Sequence, residues 1–154
     1  MTTTLHPNTL AACQRMDTGD PRCRCGEAPS ALFLHGIAQF NRREFFECHE
    51  TLEVLWLAES DDVRFLYQGI LQIGVGYLHL LRGNHHGAIT KLRSGTVLLA
   101  YFGPRCLDVN VEKLLADAQA HLRELEALGP RRLAEFDVDA IPTIDSGKRL
   151  AVSQ

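Results

Sequence analysis

The sequence predicts an all-α fold: a single-domain bundle of about five helices with short loops. Three observations carry this. Apolar residues recur at helical spacing through most of residues 29–128. No stretch alternates like a strand, and no segment repeats at solenoid spacing. Ser60-Asp61-Asp62, Gly83-Asn84, Gly103-Pro104 and Gly129-Pro130 punctuate the helical stretches with stop and start signals. The 154 residues fit one domain, and 45 % hydrophobic content can bury a core without staples.

Residues 1–28 carry Thr, Pro, Gly and Asp without an apolar period, and read as a flexible extension. A short helix over 29–40 follows, with Leu32, Phe33, Ile37 and Phe40 as its apolar side. The next spans 42–58. Asn41 is a fitting N-cap, Glu44 completes a capping box, and Phe40 and Phe45 occupy the hydrophobic-staple positions. The Ser-Asp-Asp cluster caps a third helix over 62–82. Gly83 ends it, and Asn84 opens a fourth that runs from His85 to Phe102. A fifth covers 110–128, with Leu114, Leu115, Ala118, Leu122, Leu125 and Leu128 on one side. Residues 129–154 read as an irregular tail along the bundle.

Composition narrows the function classes. Sixteen Lys and Arg stand against nineteen Asp and Glu, a net charge of -3. No basic surplus points to nucleic acid. The longest uncharged run, Phe65 to Leu81, is broken by Gln68, Gln72 and His79. It reads as a buried helix, so no membrane span is expected. Residues 1–20 lack a basic start followed by an apolar run, so no secretory signal is expected. The cysteines at 13, 23, 25, 48 and 106 are odd in number and do not look like a disulfide framework. Reduced thiols and a cytoplasmic location are expected. Cys23-Arg24-Cys25 lacks the CxxC spacing of zinc pairs. His85 and His86 open a helix and read as exposed.

Polar residues inside core-like helices form the candidate site. At about 100° per residue, Trp56, His49 and Glu53 fall within about 60° of one another on the second helix. Glu47 and Glu50 point further toward solvent. On the third helix Gln68, His79 and Gln72 form one stripe, with Arg64 near the same side. Gly69, Gly74 and Gly76 weaken that helix, which suggests close approach of another helix or a ligand. The stripe contains amides and an imidazole but no Lys or Glu, unlike a solvated face. It is expected to turn inward toward His49 and Glu53. A carboxylate buried there needs a partner.

Two functions compete for this cluster. It can be architectural, fixing helix register, in a binding or structural module that self-associates as a homo-oligomer. Alternatively it holds a divalent metal or a small ligand, with hydrolysis as an extension. His49 and Glu53 are spaced i, i+4, and His79 can supply a third metal ligand. HETLE is not the HExxH zinc motif, because Glu53 replaces the second histidine. A sealed, fully paired network would favour architecture. An open cleft with an unpaired imidazole would favour a ligand.

The run FNRREFFECHETLEVLW, then Arg64, QGILQIGVGYLHLLRGN and Gly87-Ala88, resembles the domain-of-unknown-function 309 family over roughly Leu34 to Leu99. The resemblance implies a small helical bundle and no established activity. Its signature residues fall on Asn41, Phe46, Glu47, His49, Glu50, Glu53, Trp56, Arg64, Gln68, Gly69, Gln72, His79, Gly83 and Asn84. The sequence departs from the pattern at Tyr67, Gly74 and Gly76, and in the cysteine-containing extension. The candidate ligand cluster is therefore His49, Glu50, Glu53, Arg64, Gln68, Gln72, His79 and Asn84.

Overall fold

The computed structural model describes residues 5–147. Six α-helices, rather than about five, make up most of it: α1 (Pro7–Asp17), α2 (Ala31–Asn41), α3 (Phe45–Ala58), α4 (Arg64–Leu81), α5 (His85–Leu99) and α6 (Val111–Leu128). A two-stranded ribbon, β1 (Arg105–Cys106) and β2 (Val109–Asn110), lies between α5 and α6. The tail makes two 3-10 turns, Pro130–Glu135 and Val138–Ala140.

The extra helix is α1, inside the stretch expected to be flexible. His6 caps it by accepting from the Asn8 amide, and Pro7 starts it. It buries Thr9, Ala12, Cys13 and Met16 against the bundle. Arg15 pairs with Asp62 at 2.8 Å, and Arg24 pairs with Glu59 at 2.9 Å. Arg22 donates to the carbonyls of Phe102 and Gly103. Cys25 and Cys106 are joined by a disulfide, which corrects the expectation of reduced thiols for this pair. Their sequence separation is 81 residues, so spacing alone gave no sign of the pairing. Among the described cysteines, Cys13, Cys23 and Cys48 are free.

Asn41 does not cap α3. It is the last residue of α2, and α3 starts at Phe45 after Glu44. The turn contains Arg43 at φ 63°. The Asn41 side chain instead binds the Ile144 backbone, accepting from N–H at 2.6 Å and donating to C=O at 3.0 Å. Phe40 and Phe45 do meet, edge to face with centroids 5.1 Å apart.

Helix α4 is the centre of the bundle, packed between α3 and α5. Phe65, Leu66, Ile70, Ile73, Tyr77 and Leu80 are all buried. Close approach to α5 depends on glycine: a Cβ on Gly76 would lie 2.8 Å from Leu92 Cγ, and one on Gly95 would lie 2.8 Å from Ile73 Cδ1. Gly83, at φ 76°, ends α4, and Asn84 caps α5 through the Gly87 amide. Helix α5 ends at Leu99, short of the expected Phe102. His85, expected at the surface, is half-buried and its Nε2 lies 2.8 Å from the Leu125 carbonyl. Asn110 caps α6 through the Lys113 amide. The tail buries Phe136, Ile141 and Ile144 on the bundle, and Ser146 bridges to Val109.

Candidate functional site

Helices α3 and α4 present their polar faces to one another, and α5 adds a third wall. A cleft of about 310 Å³ lies there. His49, Glu53 and Trp56 line it from α3, Gln68, Leu71, Gln72 and Val75 from α4, and Lys91 from α5. The spacing explains the α3 wall: 49, 53 and 56 are i, i+4 and i+7, one stripe of a helix. Gln68 and Gln72 are likewise one turn apart.

Unmet hydrogen-bonding capacity gathers around this cleft. Trp56 Nε1, Arg64 Nε, Gln68 Oε1 and Gln72 Oε1 are buried without a partner. Among the described residues the only other such side-chain atom is Gln39 Oε1. Most buried polar atoms in folded proteins are paired, and each unmet one costs about 1–3 kcal/mol. Four of the five such atoms among the described residues gather at this one place. The guanidinium of Arg64 lies 4.8 Å from the centroid of Trp56, so a cation covers part of the indole.

Helix α1 extends the cleft. A second hollow of about 220 Å³ shares Gln68, Gln72 and Lys91 with the first, and adds Asn8, Thr9 and Ser94. A third, about 410 Å³, shares Trp56 and Gln68 and adds Ala12, Arg15 and Phe65. Gln68 therefore stands where three hollows meet.

The expected residues divide. His49, Glu53, Gln68 and Gln72 come together as the wheel suggested, with Arg64 beside them. His49 is half-buried rather than central to the core, and Glu53 is exposed rather than buried. Glu50 is exposed and does not line the cleft. His79 and Asn84 lie away from it at the α4–α5 turn, with Asn84 Nδ2 3.3 Å from His79 Nδ1. Burial, with Lys91 and Arg82 nearby, holds the His79 imidazole below its ordinary range. The proposed metal set of His49, Glu53 and His79 is thus not assembled. Among the described residues no three His, Cys, Asp or Glu side chains lie together to hold an ion.

Sequence reasoning missed Lys91 and the α1 residues. Lys91 had no partner in its own helix to mark it. Trp56 sat in the right angular sector beside His49 and Glu53 but was not among the candidate ligand residues. Cys48, next to His49, is fully buried, and burial pushes its thiol up to about 12.

These features define a class: a compact all-α domain with an open polar cleft at its central helix. Residues 33–90 match the model of the family described as "Domain of unknown function (DUF309)". That segment holds all of α3 and α4, and the match supports the family resemblance carried by the signature residues. No curated protein and no solved structure matches the chain. Among the described residues no helix is long and apolar enough to cross a membrane.

Proposed function

We propose that this chain is a small-molecule-binding protein and that the α3–α4 cleft is its ligand site. The observation that carries this is the group of unpaired buried polar atoms on Trp56, Arg64, Gln68 and Gln72 around an open cleft. An architectural network would pair its own groups. Among the described residues the imidazoles of His6, His79, His85 and His121 are hydrogen-bonded within the chain, and those of His35, His49 and His86 are not; of these three, His49 lines the cleft. The cleft volume is at the lower end of the range for ligand sites, about 300–1,000 Å³. A metabolite-sized molecule fits it.

The test is a thermal-shift screen of the untagged protein against a collection of polar metabolites. A true ligand at a hundredfold excess over its Kd stabilises by about 2.7 kcal/mol, which moves the midpoint by several degrees. Gln72→Leu should keep the helical circular dichroism spectrum and lose the shift. No shift with any compound, or an equal shift in the variant, would reject the cleft as the site.

One observation also supports self-association. Phe46, Val54 and Leu57 lie on one outward stripe of α3 and are 51 %, 58 % and 66 % exposed. If copies meet there, Leu57→Glu will lower the mass measured by light scattering. A monomer at all concentrations would rule it out.

A further inference from the structure

We infer that the cleft takes a small zwitterion of the amino-acid class, held between Glu53 and Lys91. This rests on the reading of the cleft as a ligand site and goes on to name the ligand's chemistry. Glu53 on α3 and Lys91 on α5 belong to the two helices that flank α4, and both line the same cleft. Neither makes an ion pair with the other or with any other described residue. A ligand of one sign would gain from one of these charges and be repelled by the other. A molecule carrying an ammonium toward Glu53 and a carboxylate toward Lys91 gains from both.

The rest of the lining fits such a molecule. Gln68 and Gln72 rise from α4 between the two charges. A carboxamide donates through its NH2 and accepts through its oxygen, so the pair can serve either end. Gln72 is only 9 % exposed, and its Oε1 has no partner in the chain. A ligand ammonium supplies the donor that this oxygen lacks. Leu71 and Val75 offer an apolar wall to a short carbon side chain. A purely apolar ligand would leave the amides and both charges unanswered. A polyanion would meet Glu53.

The chain has a single tryptophan, and it lines the cleft, so intrinsic fluorescence reports on this site directly. The probes are L-leucine, L-valine, L-glutamine and γ-aminobutyrate, with isopentylamine and isocaproate as the single-charge counterparts of leucine. At least one zwitterion should change the Trp56 emission saturably. Its affinity should exceed that of the bare amine and the bare acid by at least about tenfold. Glu53→Gln should remove the preference over isocaproate, and Lys91→Met the preference over isopentylamine, with circular dichroism unchanged in both. Equal binding of amine, acid and zwitterion, or no saturable response to any zwitterion, overturns the inference. If the metabolite screen then still yields a Gln72-dependent ligand, only the ligand class is wrong. If it yields none, the binding site itself is wrong.

Discussion

Glycine substitutions on α4 separate close packing from mere flexibility. A Cβ at Gly76 would press on Leu92, 2.8 Å from Cγ and 3.1 Å from the backbone nitrogen, which cannot rotate away. Gly76→Ala is expected to lose about 1–3 kcal/mol in chemical denaturation. Two residues earlier in the same helix, Gly74 differs. Its added Cβ would find Phe45 and Phe40 at 3.5–3.6 Å, ordinary contact. Gly74→Ala should gain up to about 1 kcal/mol from helix propensity alone. Equal signs for the two variants would refute this account. From sequence both glycines signalled a close neighbour, and only one has one that would clash. The same limit held for the site. His49, Glu53, Gln68 and Gln72 could be placed on facing stripes because each pair is spaced one turn apart. Lys91 could not, because its neighbours in the cleft come from other helices.

Elements with local signals were legible, and those made by distant contacts were not. Asn84 and Asn110 each cap the helix they precede, and Gly83 and Gly129 each end one at positive φ. Helix α1 lacks a Ser, Thr, Asp or Asn cap and buries small residues whose partners come much later in the chain. Asn41 had the right type for a cap, yet the C-terminal tail claims its side chain. The joint of α4, α6 and the tail gives a further prediction. Tyr77 Oη lies 2.7 Å from His121 Nδ1, and the His121 ring packs edge-on against Phe136 with centroids 5.1 Å apart. Burial lowers the His121 pKa below its ordinary 6.5, against the opposing pull of Asp117 and Glu124. The unfolded chain therefore takes up the proton first as pH falls. The contribution of neutral His121 to stability is complete above the ordinary value and is lost progressively as pH drops below it. Melts between about pH 5 and about pH 8 should show a steeper acid-side loss for the native chain than for His121→Gln. Parallel curves would mean that His121 does not couple folding to pH.

At the scale of the whole molecule, the all-α class followed from periodicity and punctuation, and the resemblance to a known domain held for the central helices. The covalent closure did not follow, because a disulfide across 81 residues leaves no local mark. In the chain-entropy account, closing a loop of this length removes entropy from the unfolded state and so stabilises the fold by about 4–5 kcal/mol. Cys25→Ser with Cys106→Ser should lower the unfolding free energy by an amount of that order, read by denaturant titration under non-reducing conditions. An unchanged midpoint would show that the ion pairs of Arg15 and Arg24 already hold the N-terminal segment in place.

The bond between Cys25 and Cys106 has one more consequence. It makes helices α2 to α5 a closed ring, with the whole matched segment 33–90 inside it. A protease that cuts once within the ring cannot release a fragment. The nicked molecule would migrate as one band until a thiol is added, and as two afterwards. The two walls of the cleft on α3 and α4 would remain covalently tethered even if the turn between them were severed.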